Sequence, residues 1–473
     1  MQKQAENGSI RYTALIPSTL SNDTIIALAT ANGHGAIAII RLSGPEAISI
    51  VNGVFKGKDL PQQPSHTLHF GTIRDGEKIL DEVVVSLFKA PASYTKEDVV
   101  EVSCHGSPYI TEQLIKLFLR KGARLAEPGE FTKRAFLNGQ FDLAQAEAVA
   151  DLIASDSALT HQVAMKQMRG GFSQEIKALR AQLIHFASMV ELELDFSEED
   201  VEFADREALR RLITTLQMLI QDLLQSFEMG NVLKNGVPTV IAGKPNAGKS
   251  TLLNALLNEE KAIVSDIPGT TRDVIEDEAI LSGIRFRFID TAGLRDTLDK
   301  VEAIGVARTK EQLQKAALVL YLFDISSTTP AQLQEELEAG QLPQVPYLLL
   351  ANKKDLATPE QLSSFSHLEN VVFLSAGTKE GLDDLKQALL EQVNANEALL
   401  GDRTIVTNLR HFQGLQKTAD ALQEVLQGLD NGLTGDWLAA DIRRSLFYLG
   451  EITGEITTDD LLDNIFTKFC IGK

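Results

Sequence analysis

The sequence predicts a multidomain chain: an α+β N-terminal domain, a discontinuous α-helical domain, and an α/β domain inserted between the two helical halves. Three observations predict it. The 14 prolines leave residues 129–237 and 360–473 without one, as long helices require, because an interior proline costs about 3 kcal/mol. Apolar residues recur at helical spacing in both of these segments. Between them apolar strands alternate with helical runs, which signals a mostly parallel sheet covered by helices.

Residues 1–20 read as a flexible extension. Residues 21–140 carry short mixed runs, Gly-rich turns and prolines, and read as the α+β domain. The first helical part, 141–235, shows two apolar stripes, Leu179, Leu183, Phe186 and Val190, then Leu212, Leu216, Leu219 and Leu223; both are expected to pack into a core. The middle, 236–396, holds the apolar runs 237–242, 284–289, 317–323, 345–351 and 371–375. The second helical part, 397–473, repeats the helical pattern with Leu415, Leu422, Leu426 and Leu429, then Ile442, Leu446 and Leu449.

Composition sets outer limits. With 45 Lys plus Arg against 65 Asp plus Glu, the net charge is −20, which argues against a surface built to coat nucleic acid. A local basic site remains compatible with it. No run approaches the roughly 18 apolar residues of a membrane helix, and the N-terminus lacks a signal layout, so a cytoplasmic protein without membrane contact is expected. Only Cys104 and Cys470 occur, too few for a disulfide framework. Cys104 precedes His105, but two adjacent residues make a poor metal set, and a structural role is expected for Cys104.

After the strand 237–242 comes Gly243-Lys244-Pro245-Asn246-Ala247-Gly248-Lys249-Ser250, the phosphate-loop pattern GxxxxGK[ST], continued by Thr251 into a helical run. Its glycines let backbone N–H groups, those of Ala247 and Gly248 included, converge on phosphates. The helix N-terminus adds positive potential, Lys249 reaches the β and γ oxygens, and Ser250 offers its hydroxyl to Mg²⁺. Asp290-Thr291-Ala292-Gly293 ends the strand 284–289, bringing an acid near the metal and a glycine N–H toward the γ-phosphate. Asn352-Lys353-Lys354-Asp355 follows the next strand but one, and Ser375-Ala376-Gly377 follows the last. Asp355 can accept from N1–H and the 2-amino group of guanine, which adenine lacks, while Asn352 braces the loops. GTP is the expected nucleotide.

Ser265-Asp266-Ile267-Pro268-Gly269-Thr270-Thr271 is the candidate switch, with Thr271 completing the Mg²⁺ shell. A Ras-like enzyme orients water with Gln directly after the DxxG glycine; here that place holds Leu294. Hydrolysis then needs another acid, and Asp296, Asp299 and Glu302 are all candidates by spacing.

The segments GKPNAGKST (243–251), DIPGTTRD (266–273), DTAGLRDTLDKVEAIG (290–305), 127–153 and 451–473 together resemble the MnmE (TrmE) family of tRNA-modification GTPases, from about residue 21 to the end. The phosphate loop is common to many GTPases, whereas 127–153 and the terminal CIGK are specific to this family. The resemblance implies a folate-binding, homodimerising N-terminal domain (21–140), a helical domain in two parts (141–235 and 397–473), and an inserted P-loop (Ras-like) G domain (236–396). It implies a K⁺-stimulated GTP hydrolase that forms a heterotetramer with the flavoprotein MnmG, FAD residing on that partner only. The complex would add a carboxymethylaminomethyl or aminomethyl group to the wobble uridine of certain tRNAs, using a 5,10-methylene or 5-formyl tetrahydrofolate.

Carried over by position, the resemblance makes Asn246 a K⁺ ligand, joined by Ser265, Ile267 and Thr270, with the ion standing in for an arginine finger. Glu302 becomes the water-orienting acid, and pairing of two G domains would exclude water from the site. Arg41 and Glu101 align with folate contacts, as do Lys473 and Gln140, the last a neutral amide where the family often carries Lys or Arg. Cys470 matches a family cysteine tied to modification, and it reads equally as a bystander, its basic neighbours being Lys468 and Lys473. A reading of a different class keeps the GTP switch but makes the chain a regulatory or assembly factor, its N-terminal domain merely a dimerisation module.

Overall fold

The structure, a computed structural model, describes residues 23–195, 206–259, 277–281, 283–289, 316–340, 346–392, 404–432, 435–469 and 471–472. The expected extension 1–20 lies outside the described residues. The chain divides into two compact units, one of Met1–Ala150, Gln167–Leu212 and Asp420–Lys473, the other of Asp151–Lys166 and Ile213–Ala419.

In the first unit, β1 (Ile25–Leu28), β2 (Gly35–Ser43), β3 (Phe55–Lys56), β4 (Thr67–Asp75), β5 (Lys78–Phe88), β6 (Val99–Gly106) and β7 (Arg124–Leu125) form a sheet in the order β3-β4-β5-β6-β2-β1-β7. Pairing is antiparallel except between β1 and β7. The period-2 alternation of strands sends Ile40, Leu42, Val83, Val85, Val100, Val102 and Cys104 into a core with Leu114, Leu117 and Phe118. Those last three lie on α2 (Pro108–Arg120), which follows α1 (Ala47–Asn52). Ile37, Leu68 and Phe70 instead lie more than half exposed.

The same alternation separates Cys104 from His105. Cys104 is buried, and burial, helped by the nearby Asp81 carboxylate, pushes its thiol up to about 11. The exposed ring of His105 has its Nδ1 2.7 Å from Asp81 Oδ1. Among the described residues no group of metal-ligating side chains gathers here or elsewhere.

Helix α3 (Glu130–Leu137) carries the charged heart of this unit. Arg134, only 3% exposed, meets Asp23 Oδ1 at 2.6 Å, Glu130 Oε1 at 3.0 Å and Glu97 Oε1 at 3.3 Å. Arg124 joins Asp23 and Glu130 at 2.5 Å each. Burial alone would lift the Glu130 carboxyl; hydrogen bonds from Arg124, the Glu127 N–H and Arg134 outweigh it and hold it below the usual carboxylate range. That contribution to stability is complete at neutral pH and is lost as pH falls through the lowered value.

The helices continue with α4 (Leu143–Ala154), α5 (Ala158–Met168), α6 (Gly171–Asp195) and α7 (Arg206–Asn235). Leu179, Leu183, Phe186 and Val190 of α6 are buried. In α7 the stripe runs through Leu209, Ile213, Leu216, Ile220 and Leu223, and the expected Leu219 is 46% exposed. The correction follows from geometry: at about 100° per residue, Leu209, Ile213, Leu216, Ile220 and Leu223 fall within an arc of about 80°, and Leu219 lies on the other side of Leu216 from the two isoleucines.

The second unit is built on β8 (Val237–Ala242), β9 (Asp277–Leu281), β10 (Ile284–Phe288), β11 (Leu318–Asp324), β12 (Tyr347–Asn352) and β13 (Val371–Phe373), in the order β13-β12-β11-β8-β10-β9. All neighbours are parallel except the edge pair β9–β10, a strand the sequence reading passed over because it opens on two acids. Helix α8 (Lys249–Glu259) follows the phosphate loop, then come α9 (Pro330–Gly340), α10 (Pro359–Phe365) and α11 (Leu382–Gln392). The sheet is apolar inside, with Val237, Ile241, Phe286, Leu320, Leu322 and Leu350 packed on Leu252, Leu256 and Leu385. Helix α12 (Leu409–Asp430) leads to α13 (Gly435–Thr453) and α14 (Asp459–Phe466). The α+β part, the split helical part and the inserted α/β domain of the sequence reading are thus all present.

Two predictions follow from this packing. Arg134→Met should cost about 3–5 kcal/mol, because it removes the buried cation shared by Asp23, Glu97 and the buried Glu130; urea unfolding would measure it, and a loss under about 1 kcal/mol would mean that Arg124 and solvent already satisfy the network. Iodoacetamide at neutral pH should leave Cys104 unmodified in the native chain and alkylate it after denaturation, which peptide mass spectrometry would detect.

Candidate functional site

The loop after β8 is shaped by close approaches that exclude side chains. Gly243 has φ 137°, and a Cβ there would sit 2.0 Å from the Leu322 carbonyl oxygen; at Gly248, φ 102°, it would sit 2.3 Å from Asn352 Nδ2. Both glycines are therefore required by neighbouring protein atoms as well as by phosphate approach. Asn246 takes the left-handed conformation, φ 63°, at the exposed loop tip. Lys249 lies at the start of α8 and donates from Nζ to the carbonyls of Gly243 at 2.7 Å and Lys244 at 2.8 Å. Burial pushes its ammonium pKa down. Ala247 is buried, Ser250 is half-buried and Thr251 is exposed.

The base-side loops converge on the same place, because parallel strands deliver their C-terminal ends to one edge. Asn352, 3% exposed, donates from Nδ2 to the Ala247 carbonyl at 2.7 Å and accepts the Ala376 N–H at 2.9 Å. Lys353 is left-handed, φ 63°, and its Nζ reaches Asp324 Oδ2 at 2.6 Å. Burial would raise the Asp324 carboxyl, but Lys353 and the hydroxyl and N–H of Ser326 hold it below the usual range. Asp355 stands exposed on the turn Lys354–Leu356. Ser375 is buried and Gly377 exposed. The sequence reading missed Asp324, which carries no motif of its own.

Ser265, Asp266, Ile267, Pro268, Gly269, Thr270, Thr271, Asp290, Thr291, Ala292, Gly293 and Glu302 lie outside the described residues, as do Cys470 and Lys473.

In the first unit, β2–β6 register sets Arg41 opposite Glu101. Arg41 Nε meets Glu101 Oε1 at 2.8 Å. Its guanidinium also lies 5.7 Å from the ring centres of both Tyr94 and Phe131. The Tyr94 ring lies 5.6 Å from that of Phe141, the neighbour of the exposed Gln140, and the Tyr94 hydroxyl is 2.9 Å from Thr132 Oγ1. Residues 471–472 lie against the neighbouring strand β1 and the segment before α3: Ile471 bridges Pro128, and a Cβ on Gly472 would sit 2.3 Å from the Leu28 carbonyl oxygen. Leu28 adjoins Ala27, the register partner of Arg41. An arginine–carboxylate pair flanked by aromatic rings suits a flat, polar-edged heterocycle. Tyr94 and Phe131 gave no sequence signal, since isolated aromatics read as core.

Comparison with known proteins places the chain. Residues 24–140 match the family model described as GTP-binding protein TrmE N-terminus, and residues 143–470 match the MnmE helical domain. A relative from Cytophaga hutchinsonii named tRNA modification GTPase MnmE is 60% identical, covering 96% of this chain and 99% of its own. One of the same name from Christiangramia forsetii is 55% identical, with 96% and 99% covered. Among solved structures, the G domain of T. maritima FeoB is 29% identical over 33% of this chain and 96% of its own, with a TM-score of 0.23, a value too low to bear on function. The matching family models and the near-complete, majority-identical relatives lead to one conclusion: the chain belongs to the MnmE family of tRNA modification GTPases.

Proposed function

We propose that this chain is a K⁺-stimulated GTPase of the cytoplasm that, in a complex with the flavoprotein MnmG, forms 5-carboxymethylaminomethyl or aminomethyl uridine at the wobble position of certain tRNAs. The observation that carries the reading is the presence in one chain of two built sites. One is a phosphate loop tied by Asn352 to a guanine-type loop, and the other is the aromatic-flanked Arg41–Glu101 pair.

Within the G domain, the roles follow from position. Lys249, now satisfied by loop carbonyls, would turn to the β and γ oxygens of GTP. Ser250 and Thr271 would hold Mg²⁺, and Asp355 would read the guanine edge. Asn246, with an exposed amide oxygen of the hard type that alkali ions favour, would hold K⁺ together with Ser265, Ile267 and Thr270. When bound, that ion supplies positive charge beside the transferring phosphoryl group. Glu302 would orient the attacking water.

Arg41, Glu101, Gln140 and Lys473 would hold a tetrahydrofolate, which supplies the one-carbon unit. The exposed Leu68 and Phe70 of β4, with Val84 opposite Phe70 on β5, support a homodimer through the N-terminal domain, since an exposed apolar patch on a sheet favours a partner. Among the described residues no helix is long and apolar enough to cross a membrane.

Mass spectrometry of tRNA nucleosides after deletion of the gene tests the reading: the modified wobble uridine should disappear, and unchanged tRNA would reject it in favour of a regulatory switch. Glu302→Ala should lower GTP turnover by at least about 100-fold with GTP affinity nearly intact, and replacing K⁺ by Na⁺ should slow the wild-type chain; turnover surviving both changes would refute the assigned roles. Asp355→Asn should shift preference from guanine toward xanthine nucleotides, read by competition binding.

A further inference from the structure

We propose that Lys96 is an anion-binding residue of the Arg41 site, its ammonium taking a carboxylate of the folate glutamate tail. The proposal rests on the folate reading given above and adds to Arg41, Glu101, Gln140 and Lys473 a further cationic contact beside Gln140. Gln140 is a neutral amide and cannot supply charge to a carboxylate.

Lys96 lies two residues beyond Tyr94, in the segment between β5 and β6. Its backbone is left-handed, φ 60°, a conformation that costs a lysine about 1 kcal/mol or more and a glycine nothing. Its Nζ donates to the Gly139 carbonyl at 2.7 Å, so the ammonium is held immediately beside Gln140. The adjacent acids are committed elsewhere. Glu97 accepts from Ser43 Oγ at 2.6 Å and pairs with Arg134, and Asp98 Oδ1 accepts the Ala90 N–H at 2.8 Å. A carbonyl orients the Lys96 charge without neutralising it, in a chain whose net charge is −20.

The contacts form one continuous series. Lys96 touches Gly139, Phe141 lies against Tyr94, and Tyr94 lies under Arg41, which pairs with Glu101. A ligand with a flat heterocycle at one end and a carboxylate at the other would meet the arginine–carboxylate pair and aromatic rings first and the ammonium second. Such a ligand is a glutamylated pterin.

Calorimetric titration of the full-length chain tests this with three probes: 5-formyltetrahydrofolate, its triglutamate, and a tetrahydropterin without glutamate. Lys96→Gly removes the charge and relieves the left-handed strain, and the pterin probe reports whether the rest of the site stays intact in it. It should weaken both glutamylated probes by about five- to tenfold and leave the pterin unchanged, whereas Lys96→Arg, which keeps a cationic donor for the carboxylate, should lose less, about twofold. A wild-type chain that binds none of the probes would reject the folate reading itself. Wild-type binding with equal affinity in Lys96→Gly would overturn the Lys96 assignment alone, as would equal losses for pterin and folate.

Discussion

Asn352 donates to the Ala247 carbonyl and accepts the Ala376 N–H, so one side chain fixes the separation between the loop that meets phosphate and the loop that meets the base. Both bonds are buried, and losing the amide would orphan a carbonyl and an N–H together, at about 1–3 kcal/mol each. The same amide occupies the space that a Cβ at residue 248 would need. The glycine of the motif and the asparagine of the distant loop, |i−j| = 105 for the Asn352–Ala247 bond, are therefore one packing requirement expressed at two places in the sequence. Lys353 and Asp324 add a second tie between strand ends β12 and β11.

That coupling explains why this part of the molecule was so legible. Phosphate and guanine recognition use fixed residue types at fixed short spacings after strands, and the fold supplies the rest by delivering parallel strand ends to one edge. The Arg41 site is the opposite case. Arg41 and Glu101 stand 60 residues apart, and only the β2–β6 register makes them neighbours; no local pattern encodes a cross-strand pair. Tyr94 and Phe131 needed the fold as well, because an aromatic in a loop or at a helix start carries no periodicity. Leu219 shows the limit within a helix: leucine spacing alone chose it, while the two isoleucines Ile213 and Ile220 defined the buried face.

The charge total was a poor guide for a related reason. Asp23, Glu97 and Glu130 are three of the acids in the count, yet they serve Arg124 and Arg134 inside the first unit. Carboxylates spent in that way add little to the field that an approaching polyanion meets. Local imbalance matters more, and Lys96 is such a place, a cation oriented by a carbonyl whose neighbouring acids Glu97 and Asp98 are engaged by other groups.

The chain's end makes a similar point about small residues. Gly472 has φ 95° and lies so close to Leu28 that any side chain would strike its carbonyl oxygen. Glycine is therefore demanded by both conformation and contact. Ile471 fixes the register by bridging Pro128, at the end of the segment that leads into α3. Among the described residues, the bridge and the glycine set residues 471–472 beside β1, and β1 in turn is registered on Arg41 through Ala27. Gly472 is thus a geometric device: its missing side chain lets the backbone at residue 472 lie against β1, the strand that pairs with the one carrying Arg41.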